Sequence, residues 1–178
     1  GASLSRDGKH LLLYKQHGWN ATDVYYRPAA SKEAFRPLVE GAKAQFSVLA
    51  HKDHFYVATN QGAPNWKVLK VPASDPDFAK AKEVIGEQAD AVLDNVQIIG
   101  GKMVLTYMKQ AHNKLQIHEL DGSFLREVTL PSIGSTGGMS GDPEQDDAYF
   151  MFSSFTTPWQ IYKTKISSGE TSLWASID

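Results

Sequence analysis

At 178 residues the chain is long enough to bury a substantial core as one domain, and nothing in its length demands a second. Eighteen basic and twenty acidic residues, gathered into no block of either sign, leave a net charge of −2 and exclude the electrostatic footprint of a nucleic-acid or anionic-membrane binder. There is no cysteine, so disulfide and thiolate chemistry are excluded, and the longest apolar runs are a few residues, too short for a membrane-spanning helix.

The start, GASLSRDGK, lacks the basic-then-apolar order of a signal peptide. A soluble protein is expected, cytoplasmic or periplasmic, without a composition that decides between the two. Along the chain, a short strand ASLS and the turn RDG lead into HLLLYKQ (10 to 16), the turn HGWNAT, the alternating run DVYYRP and a closing run FRPLVEG. The pattern then repeats. AQFSVLA precedes HFYVATN (54 to 60), WKVLKV and AKEVIGE; AVLDNVQII precedes KMVLTYM (102 to 108), KLQIHEL and LREVTLP. Last, STGGMSG precedes DAYFMFSSF (147 to 155), WQIYKTK and ETSLWAS. The second runs start 44, 48 and 45 residues apart. One helical turn is expected within DPDFAKAKEVI (75 to 85), before the second closing strand.

Four strands per unit, rich in β-branched and aromatic residues and punctuated by Gly, Asp, Asn and Pro, form an all-β protein. Four-stranded antiparallel units at this spacing are the signature of β-propeller blades. A single domain over 1–178 is expected, with blades at about 1–41, 44–87, 91–131 and 134–176. A sandwich of about sixteen short strands is the less economical alternative. An open arc of four blades leaves two apolar faces uncovered, so the chain is expected either to form a homo-oligomer, closing a ring by symmetry, or to rely on further blades.

The run GSTGGMSGD raises the question of a serine nucleophile. The nucleophile elbow is G-x-S-x-G on a strand-to-helix turn; here Asp142 replaces the last glycine, and DPEQDD is a turn rather than a helix opening. Ser140 is therefore not assigned as catalytic, and the glycines are explained by close packing of a first strand.

Three stretches carry a family resemblance: SRDGKHLLLYKQHGWNATDVYYR, KLQIHELDGSFLREVTLP and above all GSTGGMSGD with FMFSSFTTPWQIYK. They resemble the non-catalytic propeller domain of the prolyl oligopeptidases, the S9 serine peptidases. The resemblance implies a seven-bladed propeller capping an α/β-hydrolase domain that holds the Ser, Asp and His triad, and gating the entry of short peptides. This chain departs from that pattern, with about four blades and no hydrolase domain, and looks like the C-terminal four blades, cut between blades at both ends as a natural or excised fragment. The resemblance puts the turn KQHGWN (15 to 20) on the hydrolase-facing side, making Lys15, His17 and Trp19 the substrate-facing candidates.

No cofactor or metal site is expected. His51 and His54 in HKDH are read as a polar hairpin tip whose imidazoles share no face, and DPEQDD lacks the glycine and terminal Glu of a calcium loop. Trp19, Trp66 and Trp159 each lie in or beside a turn between the second and third strands, where packing between blades is preferred over substrate stacking. Asn20-Ala21-Thr22 matches a glycosylation sequon by pattern alone.

Overall fold

Tight turns between apolar runs fix the strand pairing of this chain. In the computed structural model, which describes residues 1–176, Lys52 adopts φ 52° in a two-residue turn that sets His51 directly opposite His54. Gly100 and Gly101 (φ 58° and 69°), then Gln110 and Ala111 (φ 47° and 62°), make two-residue turns in which both central residues are left-handed, as the strand twist favours.

The strands form four antiparallel four-stranded sheets, each a simple meander. The first contains β1 (Ala2–Leu4), β2 (His10–His17), β3 (Ala21–Pro28) and β4 (Arg36–Val39). The second contains β5 (Phe46–His51), β6 (His54–Thr59), β7 (Lys67–Pro72) and β8 (Lys82–Ile85). The third contains β9 (Val92–Ile99), β10 (Lys102–Lys109), β11 (His112–His118) and β12 (Phe124–Val128). The fourth contains β13 (Ser135–Gly141), β14 (Asp147–Ser153), β15 (Gln160–Lys165) and β16 (Thr171–Ser176). The expected helical turn is a 3₁₀ turn at Phe78–Lys80, whose first amide hydrogens are met by Asp77, with Ala79 N donating to its carboxylate at 3.0 Å.

The repeat extends to an irregularity. In every sheet the register slips where the third strand meets the fourth, at Val24/Tyr25, Val68/Leu69, Ile117/His118 and Ile161/Tyr162. The extra residue on the fourth strand is apolar each time: Leu38, Val84, Leu125 and Trp174. A bulge at this point sharpens the twist of the outer strand and turns one more apolar side chain toward the sheet face.

The chain divides into two compact units, Gly1–Glu87 and Gln88–Asp178, each holding two sheets. In the first unit Leu12, Val24, Tyr26 and Leu38 face Phe46, Val48, Phe55 and Val57 of the neighbouring sheet. Phe55 is fully buried and takes the edge of Tyr26 at 5.5 Å, while the 3₁₀ turn contributes Phe78 against Phe46. Each such fully buried aromatic contributes about 1.5 to 3 kcal/mol. In the second unit Val104, Leu115 and Ile117 meet Met139, Phe150 and Phe152, and Leu125 joins them from its bulge. Phe150 stacks on Tyr162 at 5.4 Å.

Among the described residues, exposed apolar side chains stand on the first, third and fourth sheets, those of the third being Phe124, 59% exposed, and the facing pair Val92 and Met108. On the first sheet Leu4, 57% exposed, stands opposite Leu11, beside half-buried Leu13 and Tyr25. On the fourth, Trp174 is 60% exposed and leans edge-on against Tyr149, near Met151 and Ile161. The bulge residue that is buried in the first sheet (Leu38) and half-buried in the third (Leu125) thus remains uncovered in the fourth.

The glycine-rich strand is explained differently from the sequence reading, which attributed the whole run to crowding. A Cβ at Gly141 would stand 2.5 Å from Ile99 Cγ2, and one at Gly134 would collide with the Ser153 carbonyl oxygen and the Phe152 ring. Gly138, by contrast, answers to backbone conformation, with φ 90° at the irregularity between Thr136 and Met139, and Gly137 has open space beside it. Crowding governs the ends of the run and not its centre.

Candidate functional site

The β2–β3 hairpin carries the substrate-facing candidates. Lys15 and His17 lie on strand β2 rather than in the expected turn, which is only Gly18, Trp19 and Asn20. The alternation of a strand puts Lys15 and His17 on one face, and the register sets Asp23 of β3 across from Lys15 on that same face. His17 Nε2 and Asp23 Oδ2 are 2.6 Å apart. The other oxygen of Asp23 accepts the Gly41 amide hydrogen at 2.8 Å, and Asp23 is only 4% exposed. The Gly41 hydrogen bond first, and His17 second, hold the Asp23 carboxyl below the usual carboxylate range. Asp23 is the residue that sequence reasoning missed; pairing His17 with Ala21 across a three-residue turn would have brought it opposite Lys15.

Trp19 stands at the tip of this hairpin, 97% exposed. The preference for packing is corrected here: Trp19 covers no core, because the tip projects beyond the last strand pair. Its backbone is nonetheless held. Gln45 Nε2 donates to the Trp19 carbonyl oxygen at 2.6 Å, and Thr22 N donates to the Ala44 carbonyl at 2.9 Å. The arrangement is an exposed aromatic ring on a fixed stem, with a cation at Lys15 and an imidazole held by a carboxylate beneath it. Such a surface can stack on a planar or apolar group and donate hydrogen bonds to a carbonyl or carboxylate. Trp66 is half-buried with φ 70°, and Trp159 is 45% exposed, so the three tryptophans do not share one role.

Ser140 is exposed on β13, directly opposite Tyr149, and the chain continues into the turn at Asp142 and not into a helix. The geometry is that of a strand residue. The acidic run is a turn with its carboxylates engaged: Asp142 accepts from Glu144 N at 2.8 Å, Asp146 from Ser167 N and Oγ at 2.7 Å, and Asp147 from Lys163 at 2.8 Å. His51 and His54, expected on different faces, are opposite partners in the register and so share one, because residues flanking a two-residue turn pair directly. His51 is 6% exposed, and burial, with Lys70 nearby, lowers the pKa of His54. Among the described residues no three His, Asp or Glu side chains converge as a metal site.

Comparison with known proteins follows the fold. The family model described as prolyl oligopeptidase, N-terminal beta-propeller domain, matches residues 1–176. A prolyl endopeptidase of Elizabethkingia miricola is 26% identical over 172 residues, 96% of this chain and 24% of that protein. The dual function macrocyclase-peptidase POPB of Amanita bisporigera is 24% identical over 96% of this chain and 24% of its own length. A structure from an analysis of two prolyl endopeptidases and their inter-domain dynamics superimposes with a TM-score of 0.96 at 44% identity, covering 99% of this chain and 26% of the other. The chain therefore spans about a quarter of the length of the curated relatives it matches.

Proposed function

Since the chain belongs to the family of prolyl oligopeptidase N-terminal β-propeller domains, we propose that it is the non-catalytic, substrate-selecting part of a prolyl oligopeptidase-like serine peptidase. The observation that carries this reading is the match over residues 1–176, together with a 44% identical prolyl endopeptidase structure aligned along 99% of the chain. In this reading the sheets are the C-terminal four blades of a longer propeller. They control which peptides reach a hydrolase domain elsewhere in the same protein, admitting short prolyl peptides and excluding folded proteins. The Ser, His and Asp of bond cleavage belong to that hydrolase domain.

Lys15, His17 and Trp19 are the residues assigned to face substrate. Trp19 offers an apolar surface for a prolyl or aromatic side chain, and Lys15 a charge for a peptide carboxylate. The His17–Asp23 pair fixes the stem, so less conformational entropy is lost on binding. The test is the longer protein with Trp19→Ala and Lys15→Ala, measured on a short prolyl peptide and on a folded protein containing the same sequence. The reading expects kcat/KM for the short peptide to fall about tenfold, a loss of about 1.4 kcal/mol in transition-state binding. Unchanged selectivity and rate in both variants would remove these residues from the path.

The uncovered faces support a second reading. Trp174 at 60% and Leu4 at 57% exposure lie on outward sheet faces that blade-to-blade packing would cover. In the first reading the remaining blades of the longer protein cover them; in the second, this chain is an autonomous β-propeller binding scaffold that closes by pairing with another copy. Mass in solution separates the two: a stable dimer of the chain favours the scaffold, and a monomer that aggregates through its open faces favours the part of a longer protein.

A further inference from the structure

At the end of the first sheet opposite Trp19 lies a cleft that the proposed function does not use. His10 pairs with Pro28 at one end of the β2–β3 ladder and His17 with Ala21 at the other, so the cleft and the hairpin tip occupy opposite ends. Its volume is about 410 Å³, and it is lined by Lys9, His10, Tyr26, Arg36, Lys52 and Asp53 among others. Three cations thus face one carboxylate. Arg36 meets Glu33 at 3.1 Å in an exposed pair of small worth, while neither Lys9 nor Lys52 has a salt-bridge partner among the described residues.

The inner wall is polar and fixed. His10 stands edge-on to Phe55 at 5.1 Å, and its Nδ1 is buried with no hydrogen-bond partner. Tyr26, 8% exposed, packs on the same phenylalanine and turns toward the cleft. Lys52 projects from the tip of its two-residue turn, a position set by backbone rather than by a loop free to move. The nearby Asp7 does not line the cleft: its carboxylate is held by Ser5 Oγ at 2.6 Å and the Lys9 amide at 3.1 Å, and its charge lies near that of Lys9, leaving Lys52 as the cation furthest from any compensating carboxylate but Asp53.

We propose that this cleft binds a small oxyanion, the carboxylate or phosphate group of a ligand, with Lys9, Lys52 and Arg36 supplying the charge and Tyr26 and His10 lining the inner wall. Concave walls of low dielectric strengthen the attraction of clustered like charges for an anion, and charge-assisted hydrogen bonds from lysine and arginine suit oxygen acceptors.

The test is titration with inorganic phosphate in one arm and succinate in another, followed by calorimetry and by the resonances of His10 and Tyr26. Saturable binding in either arm is expected, and the arm that saturates names the ligand's group. The double variant Lys9→Gln/Lys52→Gln weakens it about tenfold or more, while Lys43→Gln, in the exposed connection from β4 to β5, leaves it unchanged. All three side chains are exposed, so the variants fold as the parent does. The inference is overturned by absence of saturable binding in both arms, by equal affinity in the double variant, or by an equal loss in Lys43→Gln, which would mark nonspecific charge attraction. Because none of these residues belongs to the hairpin site, either proposal can fail without the other.

Discussion

The side-chain oxygen of Asn113 accepts a hydrogen bond from the backbone amide of Thr136 at 2.8 Å, tying the third sheet to the fourth. The same residue donates from its own amide to the Gly134 carbonyl at 3.1 Å, and it is only 2% exposed. Removing its side chain orphans a buried N–H. Asn113→Ala is expected to destabilise the second unit by about 1 to 3 kcal/mol, read as a lower midpoint in urea with an unchanged slope. A midpoint equal to the parent's would mean that water replaces the bond at no cost.

The two kinds of glycine in the GSTGGMSGD run separate by experiment. Gly134→Ala drives a methyl group into Ser153 and Phe152 and is expected to cost about 1 to 3 kcal/mol or more by overpacking. Gly137→Ala meets open space and is expected to stay within about 0.5 kcal/mol of the parent. Equal losses in both would restore crowding along the whole strand.

Acid should weaken the hairpin stem in a defined window. Asp23 has its carboxyl pKa depressed in the folded chain, by the Gly41 amide hydrogen bond and then by His17. Its contribution to stability is therefore complete above the ordinary carboxylate value of about 3.9 and is lost as pH falls below that, through the lower folded value. Denaturation midpoints from pH 6 to about pH 2 should fall more steeply for the parent than for Asp23→Asn. The variant is less stable at neutral pH. Parallel curves would contradict the assignment.

Two aromatic residues of the first unit should respond in opposite ways. Trp19→Ala, at 97% exposure, is expected to change stability by less than about 0.5 kcal/mol. Phe55→Ala, at 0% exposure, is expected to cost about 3 to 5 kcal/mol. Thermal denaturation of both variants makes the comparison, and a large loss in Trp19→Ala would mean that the ring packs in solution.

The strands of this protein were legible because each second strand is a continuous apolar run bounded by turn residues: HLLLYKQ became His10–His17 and KMVLTYM became Lys102–Lys109. DAYFMFSSF was read too long at its end, since Ser154 and Thr157 exchange backbone hydrogen bonds in a turn and stop the ladder at Ser153. The shared face of His51 and His54 was misread because a one-residue change in turn length inverts which side chains align. The exposure of Trp19 and the burial of Asp23 were beyond a sequence reading. One depends on what lies past the hairpin tip, the other on Gly41 arriving from the edge of the sheet.

The central claim is that this chain contributes selection and not bond cleavage to a prolyl peptidase. Its most direct test is the hydrolysis rate of a chromogenic prolyl peptide by the longer protein carrying Ser140→Ala. The account predicts a kcat equal to the parent's, because Ser140 is an exposed strand residue opposite Tyr149. Loss of turnover to background, with the fold intact, would contradict it.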